Sequence, residues 1–283
     1  MNIVKKIENI LREGGIEEYK KEAQILTVEI SNSSLEDIIL EKPINNVEKI
    51  IELAHQRVQD RIPLQHLIGY CYFMNDRYKV NKDVLIPRDE TQMLVLKAYE
   101  LIKNKKNKIN ILDVGTGSGC ISCALAKKLN GYDIEILGTD ISSNALIVAL
   151  DNINSLNLER KVILRKSDLF SKIRQGEKFD MIISNPPYIP IKQKNELQYE
   201  VSHFEPELAL FASDDLGIEF YEKIIKDAPK FLKKDGFLVF EAGINQAQKI
   251  KELLKKNFKE IQITPDLAGI ERVISAKLNS TDF

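Results

Sequence analysis

Four short apolar runs, each closed by an acid or an amide, constrain the fold of this chain more than any other feature. Ile109-Asn110-Ile111-Leu112 runs into Asp113-Val114, and Ile134–Thr139 runs into Asp140. Val162–Arg165 leads to Ser167-Asp168-Leu169, and Phe179–Ser184 leads to Asn185. Runs this short, bounded by turn signals, read as buried strands. Helical patterns between them place the chain in the α/β class, with a doubly wound sheet whose polar tips gather along one edge. Downstream, a helix from Gly217 to Leu232 precedes the strand Phe237–Glu241. A last helix and two strands, near Ile261 and from Arg272 to Lys277, complete seven strands with an antiparallel final one.

The turn after the first run is Gly115-Thr116-Gly117-Ser118-Gly119, and Cys120–Ala126 then opens a helix. Glycines there permit a tight turn and a close approach of backbone to ligand, and the helix start offers free N–H groups. The spacing is Gly-x-Gly-x-Gly, unlike the dinucleotide fingerprint. Asp113 just before it would repel a diphosphate and suits an amine-bearing ligand better. Asp140 at the second strand tip is placed for the two hydroxyls of a ribose. Asp168 and Leu169, at the third, mark where an adenine would lie. S-adenosylmethionine matches this set: an aminoacyl end, a ribose and an adenine.

Asn185-Pro186-Pro187-Tyr188 supplies the second half of a site. Two prolines lack N–H groups and fix their own φ, so the chain turns stiffly and leaves carbonyls free to accept. Asn185 adds an amide, and Tyr188 adds an aromatic face with a polar tip. Such a cluster suits a planar NH2 group. Methyl transfer to an amide nitrogen needs in-line positioning above all. Asn185 and the Pro186 carbonyl would accept both N–H protons, with Tyr188 packing on the amide or facing the sulfonium. Asn185, Pro186 and Tyr188 are therefore the expected catalytic residues, with Pro187 completing the substrate grip.

These motifs, with Arg61–Gly69, Val84-Leu85-Ile86-Pro87-Arg88, Glu205-Pro206, Glu241-Ala242-Gly243 with Gln246, and Asp266–Arg272, resemble the release factor glutamine methyltransferases over about residues 60 to 277. The resemblance implies a Rossmann-like seven-stranded class I methyltransferase sheet. It also implies methylation of the glutamine in the Gly-Gly-Gln loop of peptide chain release factors, in translation termination. Carried over, Gly115–Gly119 and Asp140 would hold S-adenosyl-L-methionine with Leu169 beside the adenine, and Asn185–Tyr188 would hold the glutamine. Two departures stand out. Asp89 replaces the family's second proline and Gln92 its last acid, and the pair could form a capping box instead. Leu169 stands where relatives carry an aromatic residue.

The domain expectation is a helical substrate-docking part over 1–68, a hairpin linker over 69–84, and the methyltransferase part over 85–283. Ile3, Ile7, Ile10 and Leu11 recur at helical spacing before Gly14-Gly15, followed by stripes at Tyr19, Ala23, Leu26, Ile30 and at Ile50, Ile51, Ala54, Val58. The hairpin reads as Tyr70–Met74 and Arg77–Val80 around Asn75-Asp76, with aromatics in the core and the edge of Phe73 reaching the site. Ile189 to Leu216 reads as a long irregular lid or substrate wall, and its His203, Glu205 and Glu207 as tethering or solvated residues rather than a metal site. Lys103 to Lys108 reads as a solvated loop.

A net charge of -1 and pI near 6.4 give no electrostatic footprint for nucleic acid. The first 78 residues hold 10 basic and 13 acidic side chains, so no polybasic arm is present there. No apolar run spans a bilayer, and three cysteines fit reduced thiols in the cytoplasm. Cys120 and Cys123 read as helix-packing residues. A monomer without metal is expected. Two other functions fit the same motifs: an RNA or DNA amine methyltransferase, which would need a basic groove, and an inactive cofactor binder.

Overall fold

The computed structural model describes residues 3–40 and 42–279. The chain forms two compact units, one running up to Tyr70 and including Leu197–Phe204, the other comprising Cys71–Glu196 and everything from Glu205 onward. The hairpin from Cys71 onward falls within the second unit, and Leu197–Phe204, inside the stretch expected as a lid, falls within the first.

The first unit packs α1 (Ile3–Glu13), α2 (Tyr19–Ser31), α3 (Leu35–Ile39), α4 (Val47–Gln59) and α5 (Leu64–Ile68). Ile7, Leu11, Leu26 and Ile50 are fully buried in its core, as the helical stripes require. A buried guanidinium adds specificity. Arg57 donates to Glu22 at 2.8 and 3.1 Å and to Glu200 at 2.8 Å, and Glu200 also takes Arg61 at 2.7 Å. One planar fork therefore ties α2 and α4 to the short helix Tyr199–Phe204.

The second unit takes up the chain within β1 (Tyr70–Phe73), which pairs with β2 (Asp76–Lys79). Their turn is Met74-Asn75, one residue earlier than the sequence suggests, with both residues at positive φ (49° and 72°). A two-residue turn that matches the strands' twist demands that geometry. Phe73 and Tyr78 meet edge to face at 6.0 Å and are buried. Phe73 does not reach the site; its whole ring is core.

After α6 (Thr91–Ile102) come β3 (Ile109–Val114), α7 (Cys120–Lys128), β4 (Ile134–Asp140), α8 (Ser143–Ser155), β5 (Val162–Lys166) and β6 (Phe179–Ser184). The region 189–212 is not irregular: it holds a two-residue strand pairing (β7, Ile189–Pro190, with β8, Phe211–Ala212) and short helices α9 (Tyr199–Phe204) and α10 (Glu207–Leu210). Then follow α11 (Glu219–Asp227), β9 (Leu232–Glu241), α12 (Ala247–Leu254), β10 (Phe258–Pro265) and β11 (Glu271–Leu278). Strand order is β10-β11-β9-β6-β3-β4-β5, with β11 antiparallel to both neighbours and the rest parallel.

Alternation along the strands sends Ile111, Met181 and Ile183 to the face covered by α6, α7 and α8. Leu112, Ile182 and Leu238 go to the face covered by α11 and α12. The chain winds outward from β3 through β4 and β5, then returns to β6 on β3's other side. The β3–β6 seam is therefore the switch point, where ligands of such sheets bind. Ser184 locks that seam by donating to the Val114 carbonyl at 2.6 Å. The lysine run is less free than its composition suggests, since Lys105 pairs with Asp180 and Lys108 with Glu135. Among the described residues no helix is long and apolar enough to cross a membrane.

One buried amide joins three elements. Asn152 on α8 accepts from Lys79 N at 2.7 Å and donates to Lys79 O at 3.1 Å, pinning the hairpin as a neighbouring strand would. It also donates to Ser118 O of the glycine loop at 2.8 Å. Asn152→Ala should lower unfolding free energy by about 3 kcal/mol, because three backbone groups lose their partner. Urea denaturation reads this, and a change under about 0.5 kcal/mol would discount the bridge.

Candidate active site

A cleft along the carboxyl edge of the sheet encloses about 1180 Å³ of space, its open mouth included. Its floor is the glycine loop. Gly115, Gly117 and Gly119 sit at φ of 76°, 54° and 78°, and a Cβ at Gly115 or Gly117 would meet nothing within 4 Å. The loop backbone is thus bare where it faces the cleft, which suits a ligand lying directly on it. Gly115 and Thr116 both donate to Thr139 O at 2.8 Å, and Gly117 donates to the Asp140 carboxylate at 2.9 Å. The loop is held from below by β4 before any ligand arrives.

Of the residues expected to take a cofactor, Gly115, Thr116, Gly117, Ser118, Asp140, Asp168 and Leu169 line this cleft. Asn185, Pro186 and Pro187 line it too. Asp113, Gly119 and Tyr188 do not. Gly119 starts α7, and its Cα faces Ala149. The partly buried Tyr188 ring packs against the core on the α11–α12 face and lies beside Gly243, and burial pushes its hydroxyl pKa up to about 12. The sequence suggested an aromatic lid; the contacts of this partly buried ring lie on the core side.

Asp113 is fully buried beneath the loop. One carboxylate oxygen accepts from the Thr116 and Ser122 hydroxyls, each at 2.7 Å; the other has no partner. Burial raises its pKa from 3.8 to about 6, the two hydroxyls working against that shift. Its position makes it a strut for the loop, where the sequence suggested direct contact with an amine. Asp140 also has a raised pKa from burial, countered by the N–H groups of Ser142 and Gly117. Leu169, at φ 43°, is a side chain in a left-handed conformation, held there by Ser167 donating to its carbonyl at 2.8 Å. Strain of this kind at a ligand wall costs about 1–2 kcal/mol and is sustained by surrounding packing.

Residues remote in sequence complete the cleft. Arg88 and Thr91 line it, and Arg88 pairs with the buried Glu205, which also accepts from Ile86 N at 3.1 Å. Glu205 is thus a tether, as expected. Asp89 meets Gln92 side chain to side chain at 3.1 Å, so the pair touches without forming a capping box. Gln246 braces the turn after Asn185, donating to the carbonyls of Tyr188 and Leu216 at 2.8 Å and accepting from Gly243 N at 3.0 Å. Asn185 donates its amide to the Thr91 hydroxyl at 3.4 Å.

The family model for the Methyltransferase small domain matches residues 89–204. A release factor glutamine methyltransferase of Streptococcus pneumoniae is 36% identical over 273 residues, covering 94% of this chain and 94% of that protein. One from Fusobacterium nucleatum is 39% identical over 230 residues, 81% of this chain and 64% of that protein's length. Among solved structures, a methyltransferase from Pyrococcus furiosus superposes with a TM-score of 0.51 at 17% identity, covering 72% of this chain and 90% of that one, a likeness of fold.

A group whose folded pKa is raised adds stability that is present below its unfolded value and lost as pH rises through the folded value. For Asp113 that window runs from pH 3.8 to about 6. Asp113→Asn should therefore gain thermal stability relative to wild type as pH rises across it. Melting temperatures of both proteins on either side of the window test this; a constant difference would mean Asp113 does not titrate there.

Proposed function

The chain belongs to the release factor glutamine methyltransferase family, and we propose that it transfers a methyl group from S-adenosylmethionine to the side-chain amide nitrogen of the glutamine in the Gly-Gly-Gln loop of peptide chain release factors. One observation carries the reading: a bare glycine loop and the Asn185-Pro186-Pro187 turn face the same cleft across the β3–β6 seam. A donor on the first and an amide on the second would share one space.

The residues fit that donor. Gly115–Ser118 present bare backbone and open room, Asp140 keeps lone pairs for ribose hydroxyls, and Leu169 gives apolar contact to a base. S-adenosylmethionine, when bound, supplies an electrophilic methyl on a sulfonium. Asn185 and the Pro186 carbonyl accept the two N–H protons of the glutamine, turning its nitrogen toward the donor side of the cleft. Proline rigidity holds those acceptors without induced movement. Pre-organised placement of this kind can supply on the order of 7–11 kcal/mol of a barrier. The nitrogen would gain the methyl carbon as that carbon's bond to the sulfonium sulfur breaks, the sulfur leaving as a neutral thioether, and would give up one proton to solvent, so no side chain of matched pKa has to take it. Tyr188 acts through packing, holding the turn from behind. A release factor substrate places the reaction in the cytoplasm.

Transfer of tritiated methyl to an intact release factor, its loop Gln→Ala variant and total RNA tests this. Label should appear on the intact factor alone, and Asn185→Ala should lose at least about 100-fold in kcat, as loss of an oriented polar contact in a transition state does. Cofactor affinity should stay close to wild type. Label on RNA, or none at all, would overturn the assignment.

A further inference from the structure

Resting on the reading that Asn185 grips the acceptor amide, we infer that Glu241 and Thr91 are positioning residues that fix which edge of the Asn185 amide faces the cleft. An asparagine presents NH2 on one side and a carbonyl oxygen on the other, and its neighbours decide the orientation. To accept an N–H from glutamine, Asn185 must point Oδ1 into the cleft and turn its NH2 inward. The inward neighbours are the Thr91 hydroxyl, at 3.4 Å from Nδ2, and the buried carboxylate of Glu241, which follows Phe240, the β9 partner of Ser184, just as Asn185 follows Ser184; Thr91 and Asn185 both hold the Glu241 pKa down.

An ionised carboxylate only accepts. With Thr91 donating to Glu241, the hydroxyl's lone pairs are left to accept from Asn185. Both inner neighbours then call for an NH2, and the oxygen is left for the substrate. Protonated Glu241 carries a donor of its own, which also satisfies an inward carbonyl and presents the wrong edge to the glutamine.

The surroundings make that protonation state adjustable. Glu241 ends β9, is 1% exposed, and has one carboxylate oxygen with no partner. Burial raises its pKa from 4.5 to about 7, countered by Thr91, by Arg272 and by Asn185, with Glu90 adding to the rise. The other titratable groups facing it are Tyr188 and Tyr221, whose hydroxyls stay protonated because burial pushes both upward. Tyr221 donates to the Glu241 main-chain carbonyl, and Arg272 is engaged by Asp266 at 3.2 Å, so neither neutralises the orphan oxygen directly.

Methyl transfer to an intact release factor is measured from roughly pH 5.5 to 9 for wild type, Glu241→Gln, Thr91→Val and Thr91→Ser, with cofactor affinity by calorimetry. Wild-type kcat/KM should rise with pH through about 7, the value at which Glu241 ionises. Glu241→Gln should lose that limb and fall about tenfold or more on the alkaline side, with unchanged cofactor affinity. Thr91→Val should fall likewise and Thr91→Ser should recover. An acid limb intact in Glu241→Gln, or losses that track cofactor affinity, would overturn the inference. If Glu241→Gln does not fold, the threonine pair decides: full activity in Thr91→Val overturns it. A wild type that labels no release factor at any pH would fail the glutamine reading, a result distinct from an active wild type indifferent to both substitutions.

Discussion

A carboxylate sealed beneath the glycine loop is what the rest of the site depends on. Asp113 ends β3 at the point where the sheet's winding reverses, and no cation reaches it among the contacts of the described residues. Two hydroxyls, from Thr116 and Ser122, are its hydrogen-bond donors. Through Thr116 it fixes the loop, and through Ser122 the first turn of α7. Gly117 then reaches Asp140 on the next strand, and Ser118 O reaches Asn152 on α8. The loop is thereby suspended between two strands and two helices with its open side toward the cleft. Desolvation argues against a charge there, and the raised pKa records that cost.

The two ends of the sheet treat buried acids in opposite ways. At the start of β6, burial pushes the Asp180 pKa up, but the Asn110 N–H and the ammonium groups of Lys105 and Lys233, both at 2.6 Å, prevail and lower it. At the ligand end, Asp113, Asp140 and Glu241 are all shifted up, with burial the leading cause in each. Asp180 is a structural acid, satisfied by the fold alone. The acids at the cleft end are left short of positive charge, which is the electrostatic state a cationic ligand relieves. That asymmetry is invisible in the near-neutral overall charge.

Local pattern carried most of what could be read in advance. The seven strands, their doubly wound order and the glycine loop follow from apolar runs and turn residues that are neighbours in sequence. So does the stiff turn at Asn185. What failed depended on distance. Whether Asp113 touches a ligand is decided by Ser122 on the next helix, which turns the carboxylate inward. Where the Tyr188 ring packs depends on Gly243, 55 residues further along the chain. Thr91 meets Asn185 across 94 residues, and Asn152 meets Lys79 across 73, spans over which periodicity says nothing. Leu197–Phe204 reads as loop because its order comes from Arg57 and Arg61, both in the opening third of the chain.

The turn after β6 shows why two prolines alone do not make a reactive site. Their φ angles set the direction of the chain, yet they leave its return path undetermined. Gln246 supplies that path by holding Tyr188 and Leu216 with one NH2 group and Gly243 with its oxygen. Gly217 lies so close to the Tyr188 carbonyl that a Cβ there would fall 2.0 Å from it, and its φ of 68° disfavours any side chain. The turn is therefore fixed from both sides: by ring closure within the prolines and by one buried amide outside them. For a reaction whose nucleophile is a weakly basic amide nitrogen, rigidity of whatever holds that amide matters more than the number of its contacts, since each degree of slack lets the nitrogen stay planar and conjugated.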